Sequence, residues 1–277
     1  MIFALLAFVF GLLIGSFLNV CIYRWPRDLS VVRPRSHCPE CQKTIAWYDN
    51  VPLVSFLLLG GKCRHCGARI PFRYPLVELL TALLFFAFVR MYGLTPVAAK
   101  MCVFSAILVG LIFADIEERI LPDELTLGGT AIGVLFSIFV SMPPLVAVFV
   151  TVVTRVDVGP RALSITEAVV GAALPTFLLW AVGWLYLKIR HKEGLGLGDV
   201  KLIAMVGSFL GFGGALYTLL LGSIAGSAIG YAYIRFTGKD PGTYELPFGT
   251  FLGAAALLVA LAARQALGFN PGSSVLP

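Results

Sequence analysis

An all-α polytopic membrane protein with about eight transmembrane helices is the fold class that the sequence predicts, and three observations carry it. Of the 277 residues 58% are hydrophobic and only 13% charged, with a mean hydropathy of +0.91, whereas a soluble domain carries about 25% charged residues. The apolar residues fall in runs long enough to cross about 30 Å of hydrocarbon as helices. The 21 Lys and Arg are also distributed unevenly. If the N-terminus lies outside, only Arg90, Lys100, Arg155, Arg161 and Arg264 face that side, and the rest, Lys192 and Lys239 among them, lie inside, as the positive-inside rule requires. The net charge of +6 is then a topology signal that calls for no nucleic acid, although the basic inner loop suits anionic lipid headgroups.

The first run, Met1 to Ile22, has no basic residue before it and is followed at once by Arg24 and Arg27, so it reads as an uncleaved span with a periplasmic N-terminus. Further spans are expected at 76–92, 97–114, 124–141, 166–188, 200–211, 215–235 and 248–267. Residues 202–234 as one helix would reach about 50 Å, too long for a single crossing, so a break is placed at Gly211-Phe212-Gly213-Gly214. Residues 145–165, after Pro143-Pro144, are expected to form an external loop or an extension of the fourth span. The chain thus divides into a first helix (1–23), a cytoplasmic cysteine loop (24–75) and a seven-helix membrane domain (76–277).

That loop carries Cys38-Pro39-Glu40-Cys41 and Cys63-Arg64-His65-Cys66. Two Cys-x-x-Cys knuckles offer four thiolates, the ligand set of a closed structural Zn²⁺ site. Disulfides or a redox pair are the rival reading, disfavoured by a reducing cytoplasm. With few large apolar side chains, the loop needs the metal for its fold. His37 and His65 flank the cysteines, but four thiolates already close the shell. Cys21 and Cys102 sit in apolar runs and read as small core residues.

Two carboxylates lie where apolar helices meet water: Asp115 in Phe113-Ala114-Asp115-Ile116, and Asp199 in Gly196-Leu197-Gly198-Asp199-Val200-Lys201. An acid at a span's edge is costly and marks a functional site, and two brought together can share one proton and activate water. Otherwise each is an ordinary cap or loop acid. Asp199 falls in the first turn of its helix, where the dipole favours the charged form, and Asp115 at the end of its own, so the shared proton is expected on Asp115. Asp123, after Pro122, reads as an N-cap in preference to a direct part in catalysis. Glu117 and Glu118 face interfacial water. Glu78 reads as an acid at a helix start, with a role in methyl transfer as the alternative, and Lys201 as a partner of the aspartates or a side chain reaching for the headgroups.

In order, Gly15-Ser16-Phe17-Leu18-Asn19-Val20, the first Cys-x-x-Cys, Asn50-Val51-Pro52, the second Cys-x-x-Cys, Arg73-Tyr74-Pro75-Leu76-Val77-Glu78, Asp115 with Pro122-Asp123, Gly196-x-Gly198-Asp199-x-Lys201 and Leu246-Pro247-Phe248-Gly249 resemble the type IV prepilin peptidase family over nearly the whole chain. The resemblance implies eight spans and a membrane aspartic protease with Asp115 and Asp199 as catalytic residues. Its substrates would be type IV prepilins or type II secretion pseudopilins, cut at the cytoplasmic face of the bacterial inner membrane. Members with the cysteine loop also methylate the new N-terminal amine with S-adenosylmethionine. No Gly-x-Gly-x-x-Gly or βαβ rhythm supports methyl transfer independently. Two readings from other classes compete: a proton- or ion-coupled transporter using the same aspartates, for which no internal repeat is found, and a zinc-stabilised scaffold without activity.

Overall fold

The computed structural model describes residues 1–143, 145–155, 159–191, 194–237 and 246–266, so Lys192 and Lys239 lie outside the described residues. Helices α1 (Ile2–Arg24), α2 (Val54–Leu58), α3 (Arg73–Tyr92), α4 (Pro96–Glu118), α5 (Asp123–Ser137), α6 (Leu145–Thr154), α7 (Pro160–Arg190), α8 (Leu197–Thr237) and α9 (Phe248–Ala266) follow in order. Among the described residues there is no β-sheet, only two isolated bridges.

Six of these helices are long and apolar enough to cross a membrane: α1, α3, α4, α7, α8 and α9. The expected spans at 124–141 and at 200–211 with 215–235 account for the rest. The first is the 15-residue α5, and the other two together are α8, whose 41 residues are interrupted at Gly211 with φ 75° and ψ −177°. The chain has to break where no side chain is tolerated in that conformation.

Two compact units divide the chain at Leu94 and Thr95. In the first, α1 and α3 pack at the closest approach that glycine allows. A Cβ on Gly11 would lie 2.7 Å from Ala82 Cα, and one on Gly15 2.6 Å from Glu78 Cα, the geometry of a small-xxx-small membrane contact. Asn19 Nδ2 then reaches the Tyr74 carbonyl at 3.0 Å. α3, expected to open the 76–277 domain, therefore packs with α1.

In the second unit α4 is the central helix, buried along most of its length, with Phe104 stacked on Phe209 of α8 at 4.9 Å. Gly207 of α8 meets the Gly171 carbonyl of α7 backbone to backbone. The break at Gly211 leaves the Phe212 N–H without a helical acceptor, and buried Glu167 of α7 supplies one at 3.2 Å through Oε1. Glu167 Oε2 accepts from the Val146 N–H at 2.8 Å. Residues 145–154 thus form a separate apolar helix rather than a continuation of the fourth span, because Pro143 and Pro144 cannot extend a helix.

Candidate functional site

Asp115 sits in the last turn of α4 and is buried. The helix ends three residues on, where Arg119 turns left-handed (φ 55°) and its N–H closes on the Asp115 carbonyl at 3.0 Å. The Asp115 carboxylate is met by the start of α9. Thr250 donates twice to Oδ2, from its backbone N–H at 2.6 Å and its hydroxyl at 2.7 Å. Gly249 makes this possible, since a Cβ there would lie 3.2 Å from Asp115 Cγ and 2.9 Å from Leu121 Cδ1.

Asp199 occupies the first turn of α8, with its N–H bonded to the Gly196 carbonyl at 3.2 Å. Neither Gly196 nor Gly198 has a positive φ, so space and not backbone freedom requires them. A Cβ on Gly196 would stand 3.4 Å from Asp199 Oδ2, and one on Gly198 3.2 Å from Leu121 Cβ. Leu121 therefore lies against both the Gly198 turn beside Asp199 and the Gly249 turn that meets Asp115. The fold brings the two expected carboxylates into one site.

Their surroundings remove the difference between them on which the expected place of the proton rested. Both acids face the first turn of a helix, Asp199 in α8 and Asp115 against α9, so the dipole argument no longer separates them. With Oδ2 occupied by two donors, Asp115 has only Oδ1 left to hold or take a proton. Thr250 escapes the sequence reading, although a hydroxyl residue directly after Leu246-Pro247-Phe248-Gly249, in the first turn of a helix, is the kind that donates to an acid. Removing its hydroxyl alone, Thr250→Val keeps the N–H donor and loses a bond to a charged group, worth about 1.5–3 kcal/mol. In the leader cleavage that the resemblance implies, the single-turnover rate should fall by about tenfold or more, and a rate equal to wild type would show that the hydroxyl does not position Asp115.

Asp123 is not the cap of α5. It is the first helical residue after Pro122, which holds the cap position without a side-chain bond. Its carboxylate instead takes Lys201 Nζ at 2.7 and 3.0 Å, which joins the starts of α5 and α8 and gives Lys201 its partner.

The four loop cysteines converge. Their Sγ atoms all lie within 4.8 Å of one another, and Cys38 and Cys66 are 3.8 Å apart. A Zn²⁺ with bonds of about 2.3 Å spaces tetrahedral sulfurs by about 3.8 Å, so the set fits that ion. None of the six cysteines forms a disulfide, and Cys21 and Cys102 are buried, as their place in apolar runs leads one to expect. Each knuckle is built alike. The Cys38 and Cys63 N–H groups bond to the Lys43 and Ala68 carbonyls at 3.0 and 2.8 Å, and the turn closes through a left-handed residue, Gln42 (φ 56°) or Gly67 (φ 71°). Backbone N–H groups of Cys66 and His65 draw the Cys63 thiol down to about 7. Cys66, although the Ala68 N–H acts to lower it, is pushed up to about 12 by burial and the neighbouring sulfurs.

Glu78 is not a free acid at a helix start. Buried against α1, it accepts the Leu53 N–H at 2.8 Å. Leu53 stands at φ 58°, a strained conformation for leucine that this bond holds in place. Beside it, the same unit encloses a cavity of about 440 Å³ between α1 and the stretch Val31–Pro52.

A model of the bacterial peptidase A24 N-terminal domain matches residues 9–92, and one of the type IV leader peptidase family matches residues 102–231. Among curated proteins, the chain is 40% identical over 241 residues to a prepilin leader peptidase/N-methyltransferase of Myxococcus xanthus, a match covering 86% of this chain and 65% of that protein. It is 34% identical over 285 residues to the protein of that name in Pseudomonas aeruginosa, covering 94% and 90%, and 35% identical over 283 residues to one in Aeromonas salmonicida, covering 92% and 89%. No solved structure matches the chain.

Proposed function

We infer the function of this chain from the family to which it belongs, the type IV leader peptidases: it removes the leader peptide of prepilins or pseudopilins and methylates the N-terminal amine that cleavage exposes. The observation that carries the reading is the joining of Asp115 and Asp199 at the helix starts of α9 and α8. The family finds no use for the transporter reading of the same acids, and the scaffold reading leaves the pair without a task.

In the proposed mechanism one carboxylate takes a proton from water as its oxygen attacks the scissile carbonyl carbon. The other carboxyl passes its proton to the departing amine nitrogen as the peptide bond breaks. Thr250 fixes Asp115 through Oδ2, leaving Oδ1 for the proton. Leu121, between Gly198 and Gly249, keeps the two turns in register. Zn²⁺ on Cys38, Cys41, Cys63 and Cys66 would hold the loop's fold; a closed thiolate shell offers no position to a water. S-adenosylmethionine would supply a methyl cation equivalent, the amine forming N–C as the C–S pair returns to sulfur and the product amine sheds a proton.

We place the N-terminus in the periplasm and the aspartates at the cytoplasmic face, on the charge asymmetry of the loops. The substrate's basic leader would then stay in the cytoplasm with its apolar segment in the bilayer. A prepilin carrying single cysteines near its cleavage position should crosslink to cysteines placed beside Asp115 or Asp199. Crosslinks formed instead with residues 141–165 would show the opposite orientation.

A further inference from the structure

The cavity between α1 and the cysteine loop belongs to no step of peptide cleavage, yet it is built from both ends of the metal site. Its volume, about 440 Å³, falls within the about 300–1,000 Å³ of small-molecule sites. One wall is apolar, from Phe17 and Val20 of α1, and the other presents Arg35, Ser36, Trp47 and Asn50. The first knuckle fixes Ser36, whose carbonyl accepts the Ile45 N–H at 2.9 Å beside the His37–Thr44 bridge. The second reaches Trp47 and Asn50 through Arg64, which lies between Cys63 and Cys66 in sequence and donates to Asp49 at 2.8 and 2.6 Å. From the membrane side, Ser16 lines the cavity, next to Gly15, whose backbone packs on that of buried Glu78. Glu78 in turn holds Leu53, directly after the lining residue Pro52.

We propose that this cavity, between α1 and residues 31–52, is where S-adenosylmethionine binds. The proposal rests on the methyltransferase reading above and adds the site to it. Each part of the ligand has a matching group. The exposed Trp47 ring offers a stacking face for the adenine, a contact worth about 1–3 kcal/mol for a base on an aromatic. Asn50 and Ser36 offer hydrogen bonds to its polar edge and the ribose. Arg35 pairs with the carboxylate. The sulfonium, a cation without donors, suits aromatic Phe17. A soluble nucleotide fold is then unnecessary, because the zinc knuckles shape the loop and the membrane helix supplies the other wall.

The test is binding of tritium-labelled S-adenosylmethionine to the purified full-length, zinc-loaded chain, with photo-crosslinking of the same ligand mapped by mass spectrometry. The zinc content of every variant reports that its loop is folded. The wild type should bind, and the label should map to the peptide containing Trp47. Arg35→Gln and Trp47→Leu should each weaken affinity by about tenfold, the loss of one charged hydrogen bond or one stack, while Trp47→Phe keeps most of it. Wild-type affinity in Arg35→Gln and Trp47→Leu, or a label mapped elsewhere, overturns the site even if cleaved pilin is still methylated. If cleaved pilin carries no added methyl group and the chain binds no ligand, the methyltransferase reading falls with it.

Discussion

Leader cleavage should stop when either Asp115 or Asp199 is replaced by Asn, with an expected loss of about 10²–10⁴-fold or more from one missing proton-transfer role. The substitution is close to isosteric, and at position 115 an amide oxygen can still accept both Thr250 donors, so α9 stays docked on α4. What disappears is the capacity to take or give a proton. Because both carboxyls serve one reaction, the double variant should lose little more than either single one, as residues that act as a unit do. Asp123→Asn is the control. Its bond to Lys201 is exposed, with side chains 57% and 35% accessible, and such pairs contribute about 0–1 kcal/mol, so most activity should remain. The measurement is release of the leader from a prepilin in detergent. Substantial turnover by Asp115→Asn or Asp199→Asn removes that residue from the mechanism, and loss of activity in Asp123→Asn brings the Lys201 pair into it.

Metal removal should divide the two reactions. Purified under reducing conditions, the chain should contain one Zn²⁺, and chelation or Cys→Ser change at Cys38, Cys41, Cys63 or Cys66 should drive methylation to background while cleavage persists. The reason is structural. Without the ion, both knuckles lose their common centre, and Ser36, Trp47 and Asn50 lose the frame that Arg64 and the His37–Thr44 bridge provide. Asp115 and Asp199 are held by Thr250, Gly249 and the α8 turn within the second unit. Methylation of cleaved pilin and leader release, followed in one reaction by mass spectrometry, give both readouts. A chain without metal overturns the site. If chelation abolishes cleavage as completely as Asp199→Asn does, the loop also positions the prepilin, and the proposed division of labour is wrong.

The aspartates, the four cysteines, the apolar runs and the break at Gly211 are all legible in the order of residues alone, because each is a local statement. Hydropathy marks a span, two Cys-x-x-Cys pairs mark a thiolate cluster, and only glycine takes a φ of 75° without strain. Local rules mislead where an apparently local residue has a distant partner. The cap reading of Asp123 fails because Lys201 competes for its carboxylate. The dipole argument for the proton loses its basis because Thr250, 135 residues from Asp115, brings a second helix N-terminus to it. Nothing in the spacing of Pro143-Pro144 indicates that Glu167 bonds both the N–H at the start of α6 and the one freed at the break in α8.

By itself, then, the sequence determined the membrane class, the chemistry available and which residues could supply it, since composition, ligand type and charge are properties of residues. Which carboxylate oxygen is left for the proton, which helix start faces which acid, and that a cavity opens between α1 and the cysteine loop were decided only by the tertiary structure. Those are properties of pairs of residues far apart in the chain, and they exist only where glycines such as Gly15, Gly207 and Gly249 let two backbones come close enough for the contact to form.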